Sequence, residues 1–146
     1  MKINNPFSKS NIVTFIPLML VMILDLFFTT IGQSEYYWQN YSFFNELNPV
    51  GQILLSVGPI YWILISILYI VFVLFLIANL RRPINIMAAT AFFLGHAWGS
   101  ASWVVEIIYK FFGLEVNYWY ANIIYFIIIA IISGFYLNKK FTEIRG

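Results

Sequence analysis

Four apolar stretches, roughly residues 12–31, 49–79, 84–112 and 118–137, occupy most of this chain. Each is long enough to cross a bilayer, which takes about 20 residues at ~1.5 Å per residue. A backbone inside hydrocarbon must satisfy its own N–H and C=O groups, so such stretches are constrained to be helices. The expected fold is all-α: a four-transmembrane-helix bundle forming a single integral membrane domain over residues 1–146. Composition agrees, since 62% of the residues are hydrophobic and only 10% charged, against about 25% charged in an ordinary soluble domain. The partner this implies is the lipid bilayer. A net charge of +2, dispersed along the chain, gives no basis for nucleic-acid binding. The absence of cysteine removes disulfides, thiolate metal sites and thiol nucleophiles.

The second and third stretches exceed the minimum span, so they are expected to tilt or to begin with a short surface segment, and Gly58-Pro59 marks where the second would break. The first stretch carries Asp25 and lacks a small-residue cleavage site, which reads as a retained helix rather than a secretory signal. Charge then orients the bundle. Lys2 and Lys9 precede the first helix, Arg81 and Arg82 join the second to the third, and Lys139, Lys140 and Arg145 follow the fourth. The opposite side holds only Lys110, beside Glu35, Glu46, Glu106 and Glu115. By the positive-inside rule both termini are expected to be cytoplasmic. The outer loop, residues 33–48, is rich in tyrosine, tryptophan and phenylalanine, as expected of rings resting at headgroup level.

At 100° per residue each helix carries one polar stripe: Thr14, Asp25, Thr29 and Gly32 on the first; Asn48, Gln52, Ser56, Pro59 and Ser66 on the second. The third carries Asn85, His96, Gly99, Ser100, Trp103, Glu106 and Lys110, and the fourth Asn122, Tyr125, Ser133 and Tyr136. Lipid cannot satisfy these groups, so the stripes should face one another. Helix packing alone accounts for much of this, because small residues admit close neighbours and hydroxyls bond across helices. Ala88, Ala89, Gly95, Gly99, Ser100 and Ala101 fit that role. Ser100 lies one turn after His96 but lacks an orienting group or oxyanion donor, so it is not read as a nucleophile.

Asp25 resists that explanation. An ionised carboxylate within a membrane helix costs at least about 2.5 kcal/mol, which calls for a proton, a cation or a partner such as His96, the only histidine in the chain. Glu106 lies near the outer boundary, one turn from Lys110, where an exposed helix ion pair is the simplest reading. Asn45-Glu46-Leu47-Asn48-Pro49 opens the second helix with a favoured N-cap, proline at the first helical position and an acid near the positive helix end. Glu46 also enters on the side nearest Asp25. Carboxylates with an imidazole suit a divalent ion such as Zn²⁺ or Mn²⁺, so Asp25, Glu46 and His96, with Glu106 as a weaker addition, form the candidate metal set.

Leu24-Asp25 followed by Thr29, with Glu46-x-Asn48-Pro49 and then Gly58-Pro59, resembles an uncharacterised family of small prokaryotic multi-pass membrane proteins with Asp-x3-Thr and Glu-x-Asn-Pro signatures. The resemblance covers about residues 20–75. It implies a small helical bundle in a prokaryotic cell membrane, with Asp25, Glu46, Asn48 and Pro49 as defining positions, and supplies no activity. Such proteins often carry a lysine in the second helix, and none occurs here.

No His-Glu-x-x-His, Gly-x-Gly-Asp, Gly-x-Ser-Gly or phosphate-cradling glycine loop occurs, so the common intramembrane proteases and nucleotide enzymes are set aside. The expected function is an interior polar site around Asp25 and His96 that binds a proton or cation. The alternatives are a non-catalytic subunit of a larger membrane complex or homo-oligomer, and a metal-dependent intramembrane enzyme or small transporter. Four-helix exporters also bury a carboxylate in their first helix, but dual topology needs balanced Lys and Arg on both sides.

Overall fold

The computed structural model describes residues 9–81 and 83–145. Lys2 and Arg82, on which part of the orientation reading rests, lie outside the described residues, as do the side chains of Lys9, Thr14 and Arg145. Among the described residues the chain is all-helical: α1 (Lys9–Gly32), α2 (Glu35–Gln39), a 3-10 turn (Tyr41–Phe43), α3 (Pro49–Val57), α4 (Pro59–Asn79), α5 (Ile84–Phe112) and α6 (Tyr118–Arg145).

Three segments, Phe15–Gly32, Pro59–Asn79 and Tyr118–Lys140, are long and apolar enough to cross a membrane. The 29 residues of α5 also suffice in length. Its apolar character is diluted by Gly95, His96, Gly99, Ser100 and Ser102. The expected stretch 49–79 is two helices, α3 and α4, separated at Gly58. Gly58 has φ +138°, a conformation L side chains rarely adopt, and Pro59 starts α4 because its missing N–H is not needed there. At the other end Lys139 and Lys140 lie within α6 rather than after it. Helical hydrogen bonding propagates past the apolar segment because lysine is a good helix former.

The apolar core lies where α1, α4, α5 and α6 meet. Leu18, Val21 and Met22 of α1, Ile70, Val73 and Ile77 of α4, Ala97 and Ala101 of α5, and Tyr125 and Ile129 of α6 are all buried there. Spacings of three and four bring each set onto one face. The longest interface is α1 along α5, and small residues on α5 permit it. At the C-terminal end of α1 Gly32 lies directly against the indole of Trp103, where an added Cβ would sit 2.9 Å from Cζ3.

The loop that follows α1, residues 33–48, is pinned from the end of that helix. Gln33 is wholly buried; its amide donates to the Thr29 and Asn45 carbonyls at 3.1 Å each, and its carbonyl accepts from the Asn45 N–H at 2.9 Å. Lys110 donates to the carbonyls of Ile31 and Gln33 at 2.9 and 2.8 Å. This corrects the expected Glu106–Lys110 pair: the ammonium instead caps the open carbonyls, and negative dipole end, of α1. Asn48 caps α3 as expected, its side chain accepting from Val50 N–H at 3.0 Å.

Candidate functional site

Asp25 sits on α1 in register with Leu18, Val21 and Met22, so the face that builds the core also carries the carboxylate inward. Across the α1/α5 interface His96 Nδ1 lies 2.7 Å from Asp25 Oδ2, each side chain 21% exposed. Room for the carboxylate exists because residue 99 is glycine: a Cβ there would stand 2.7 Å from Asp25 Oδ1. The other face of the imidazole is met from α4, where Tyr69 Oη lies 3.4 Å from His96 Nε2. An ionised carboxylate only accepts hydrogen bonds, so it draws the ring proton to Nδ1 and leaves Nε2 to accept from the Tyr69 hydroxyl. Three helices therefore contribute to one chain, Asp25 to His96 to Tyr69.

This chain forms part of the wall of a cavity of ≈ 1080 Å³ bounded by α1, the loop of residues 33–48, α3, α4, α5 and the start of α6. Glu46 and Glu106 line the same cavity. Glu46 is held by its local turn: Oε1 accepts from Asn48 N–H at 2.8 Å, and Gly51 leaves space where a Cβ would come within 2.8 Å of its Cγ. Glu106 is exposed and, among the described residues, makes no hydrogen bond or ion pair. The structure thus brings Asp25 and His96 into contact and places Glu46 and Glu106 on the same cavity wall. Among the described residues no group of three or more His, Asp or Glu side chains is placed to hold a metal ion.

Burial pushes the Glu46 carboxyl above the ordinary glutamate range; the Asn48 and Leu47 amides oppose this, and the nearby Asp25 adds to it. Folding therefore favours protonated Glu46. Its contribution is fully present below the ordinary glutamate range and is lost as pH rises through the raised value of the folded protein. The expected result is that Glu46→Gln flattens the fall in thermal midpoint between acidic and neutral pH relative to the unsubstituted protein, as differential scanning fluorimetry in detergent would read. An unchanged slope would show that Glu46 titrates alike in both states.

Tyr69, whose hydroxyl meets His96, was not singled out from the sequence as part of the site, because ring contacts between helices leave no spacing signal within one helix. Ser100 donates to the His96 and Ala97 carbonyls at 2.8 and 3.1 Å and accepts from Tyr125 Oη at 2.8 Å. That hydroxyl is wholly engaged in packing, in keeping with its dismissal as a nucleophile. Gly95, expected to admit a neighbouring helix, has nothing within 4 Å of a Cβ position and lines the cavity instead. No known protein family, no curated protein and no solved structure matches this chain.

Proposed function

We propose that this is a four-helix integral membrane protein with both termini cytoplasmic, and that the Asp25–His96 pair binds a proton or cation reached from the outer side. The observation that carries this reading is the 2.7 Å carboxylate–imidazole contact on the wall of a large cavity. Such a pair has no packing role that two apolar residues would not fill better. It gains a purpose when a proton moves between carboxylate, imidazole and solvent. Glu46 and Glu106 extend acidic character from the pair toward the outer loop. In this arrangement α5 is the fourth span, its polar face kept from lipid by α1, α4 and α6.

The experiment is proton uptake and metal content of the purified protein, each compared with Asp25→Asn and His96→Ala. The expected result is that both substitutions abolish the same titrating proton or the same bound ion. If both leave proton uptake and metal content as they are in the unsubstituted protein, the site is structural only. Because the chain has no cysteine, single cysteines at Ser42 and Thr142 report topology by impermeant labelling of intact cells. Labelling of Ser42→Cys alone is expected, and labelling of both or of Thr142→Cys alone would reject the orientation.

A further inference from the structure

The cavity holding the Asp25–His96 pair is far larger than a proton or a metal ion needs. Ligand pockets for small molecules run to about 300–1,000 Å³, and this one is ≈ 1080 Å³. Its charged lining groups are Asp25, Glu46, Glu106 and His96; no lysine or arginine lines it among the described residues. Lys110, which shares a helix with Glu106, is committed to the α1 carbonyls. Between the acids the walls are aromatic: Trp62, Tyr69, Phe92, Trp98 and Trp103. Indole and phenol faces attract a cation within ~6 Å of the ring, most strongly where water is excluded.

Two further observations point to an occupant. Thr29 is 2% exposed and lines the cavity, yet among the described residues its hydroxyl has no hydrogen-bond partner. The Thr29 residue is buried but its hydroxyl is left to the cavity, where a ligand or water can meet it. The lining is also incomplete on its flank. Ile65 and Tyr69 of α4 and Trp98 of α5 line the cavity and are exposed, at 41%, 41% and 53%, midway along their helices. There α4 and α5 meet less extensively than α1 and α5 do. In a membrane that gap opens onto acyl chains, while the Glu46 end opens outward.

We infer that the cavity takes a lipophilic organic cation, which passes between α4 and α5 from the bilayer and is held by aromatic faces and by the Asp25 and Glu106 carboxylates. This rests on the reading of Asp25–His96 as a proton or cation site and supplies its ligand class. The cationic charge would draw the carboxylate of Asp25 away from His96, so a bound proton and a bound organic cation compete for one acid. The aromatic walls supply the selectivity for lipophilic over hydrated ions.

The test uses the full chain in detergent, titrated with tetraphenylphosphonium and, in parallel, with tetraphenylborate, which has nearly the same shape and the opposite charge. Quenching of cavity tryptophans reports binding. Saturable binding is expected for the cation alone, weakened about tenfold or more by Asp25→Asn and about threefold by Glu106→Gln, a drop of roughly 1.4 kcal/mol or more for the former. Glu106 is exposed and unpartnered, so its substitution keeps the test valid should Asp25→Asn fail to fold. Equal binding of both ions, or a dissociation constant unmoved by Glu106→Gln and by folded Asp25→Asn, overturns the inference. Proton uptake measured alongside separates the two claims. If uptake depends on Asp25 while the phosphonium does not bind, the ligand class is wrong and the proton site stands; if uptake is independent of Asp25, both fall.

Discussion

Gly99→Ala is expected to break the Asp25–His96 pair, and Gly95→Ala, one turn earlier on the same helix, to leave it intact. A Cβ at position 99 would stand 2.7 Å from Asp25 Oδ1 and 3.1 Å from its Cγ, whereas one at position 95 meets nothing within 4 Å. The crowded atoms belong to the end of a short side chain, so the carboxylate rotates away before the backbone moves. Rotation removes Oδ2 from His96 Nδ1. Replacing glycine by alanine in a helix is itself favourable by about 1 kcal/mol, while crowding a packed site costs about 1–3 kcal/mol. Gly95→Ala should therefore be neutral or stabilising, with Gly99→Ala lower by about 1–3 kcal/mol. The sharper difference is at the pair itself: Gly99→Ala should lose the Asp25–His96 coupling although both residues are still present, and Gly95→Ala should keep it. Equal proton uptake by both glycine variants would mean that the pair does not set the chemistry of the cavity.

What could be read in advance divides along physical lines. Apolar length alone makes helices obligatory, and Gly58-Pro59 and Asn48-Pro49 are local signals whose geometry is decided within a few residues. Those features were legible, down to the N-cap. Asp25 stood out because the cost of burying a carboxylate depends on depth, which follows from counting along one helix. Its contact with Tyr69 through His96 depends on the rotation of three helices about their own axes, and no spacing within a helix encodes that. Lys110 was misjudged for the same reason: Glu106 is its neighbour in sequence, but the α1 carbonyls are its neighbours in space. Nor does composition distinguish a glycine that seats a helix, as Gly32 does under Trp103, from one that seats a carboxylate, as Gly99 does. The end of α6 was placed too early because loss of hydropathy was equated with loss of helix.

A double-substitution cycle on Asp25 and His96 should give a coupling of about 1–2 kcal/mol. Asp25→Asn retains shape and removes charge; His96→Leu removes both ring nitrogens at similar bulk. Either change alone removes the charge-assisted contact, since His96→Leu leaves Asp25 against a leucine and Asp25→Asn leaves His96 against a neutral amide, and a hydrogen bond to a charged group is worth roughly 1.5–3 kcal/mol. The double variant leaves no charge without its partner, so it should lose less than the sum of the two. Partial exposure, 21% on each side, lets water take over some of the lost contact, which holds the expected coupling below that of a sealed pair. Tyr69→Phe supplies an internal scale: its hydroxyl stands 3.4 Å from Nε2, at the long end of hydrogen bonding, and its coupling to His96 should be well under 1 kcal/mol. Unfolding in one detergent, at fixed protein concentration, measures all arms. Additivity of Asp25→Asn and His96→Leu within about 0.5 kcal/mol would mean the two groups do not depend on each other. Coupling of the expected size would instead make the imidazole the partner that renders a carboxylate tolerable at that depth, and leave Tyr69 as the lesser contact that orients the ring toward the cavity.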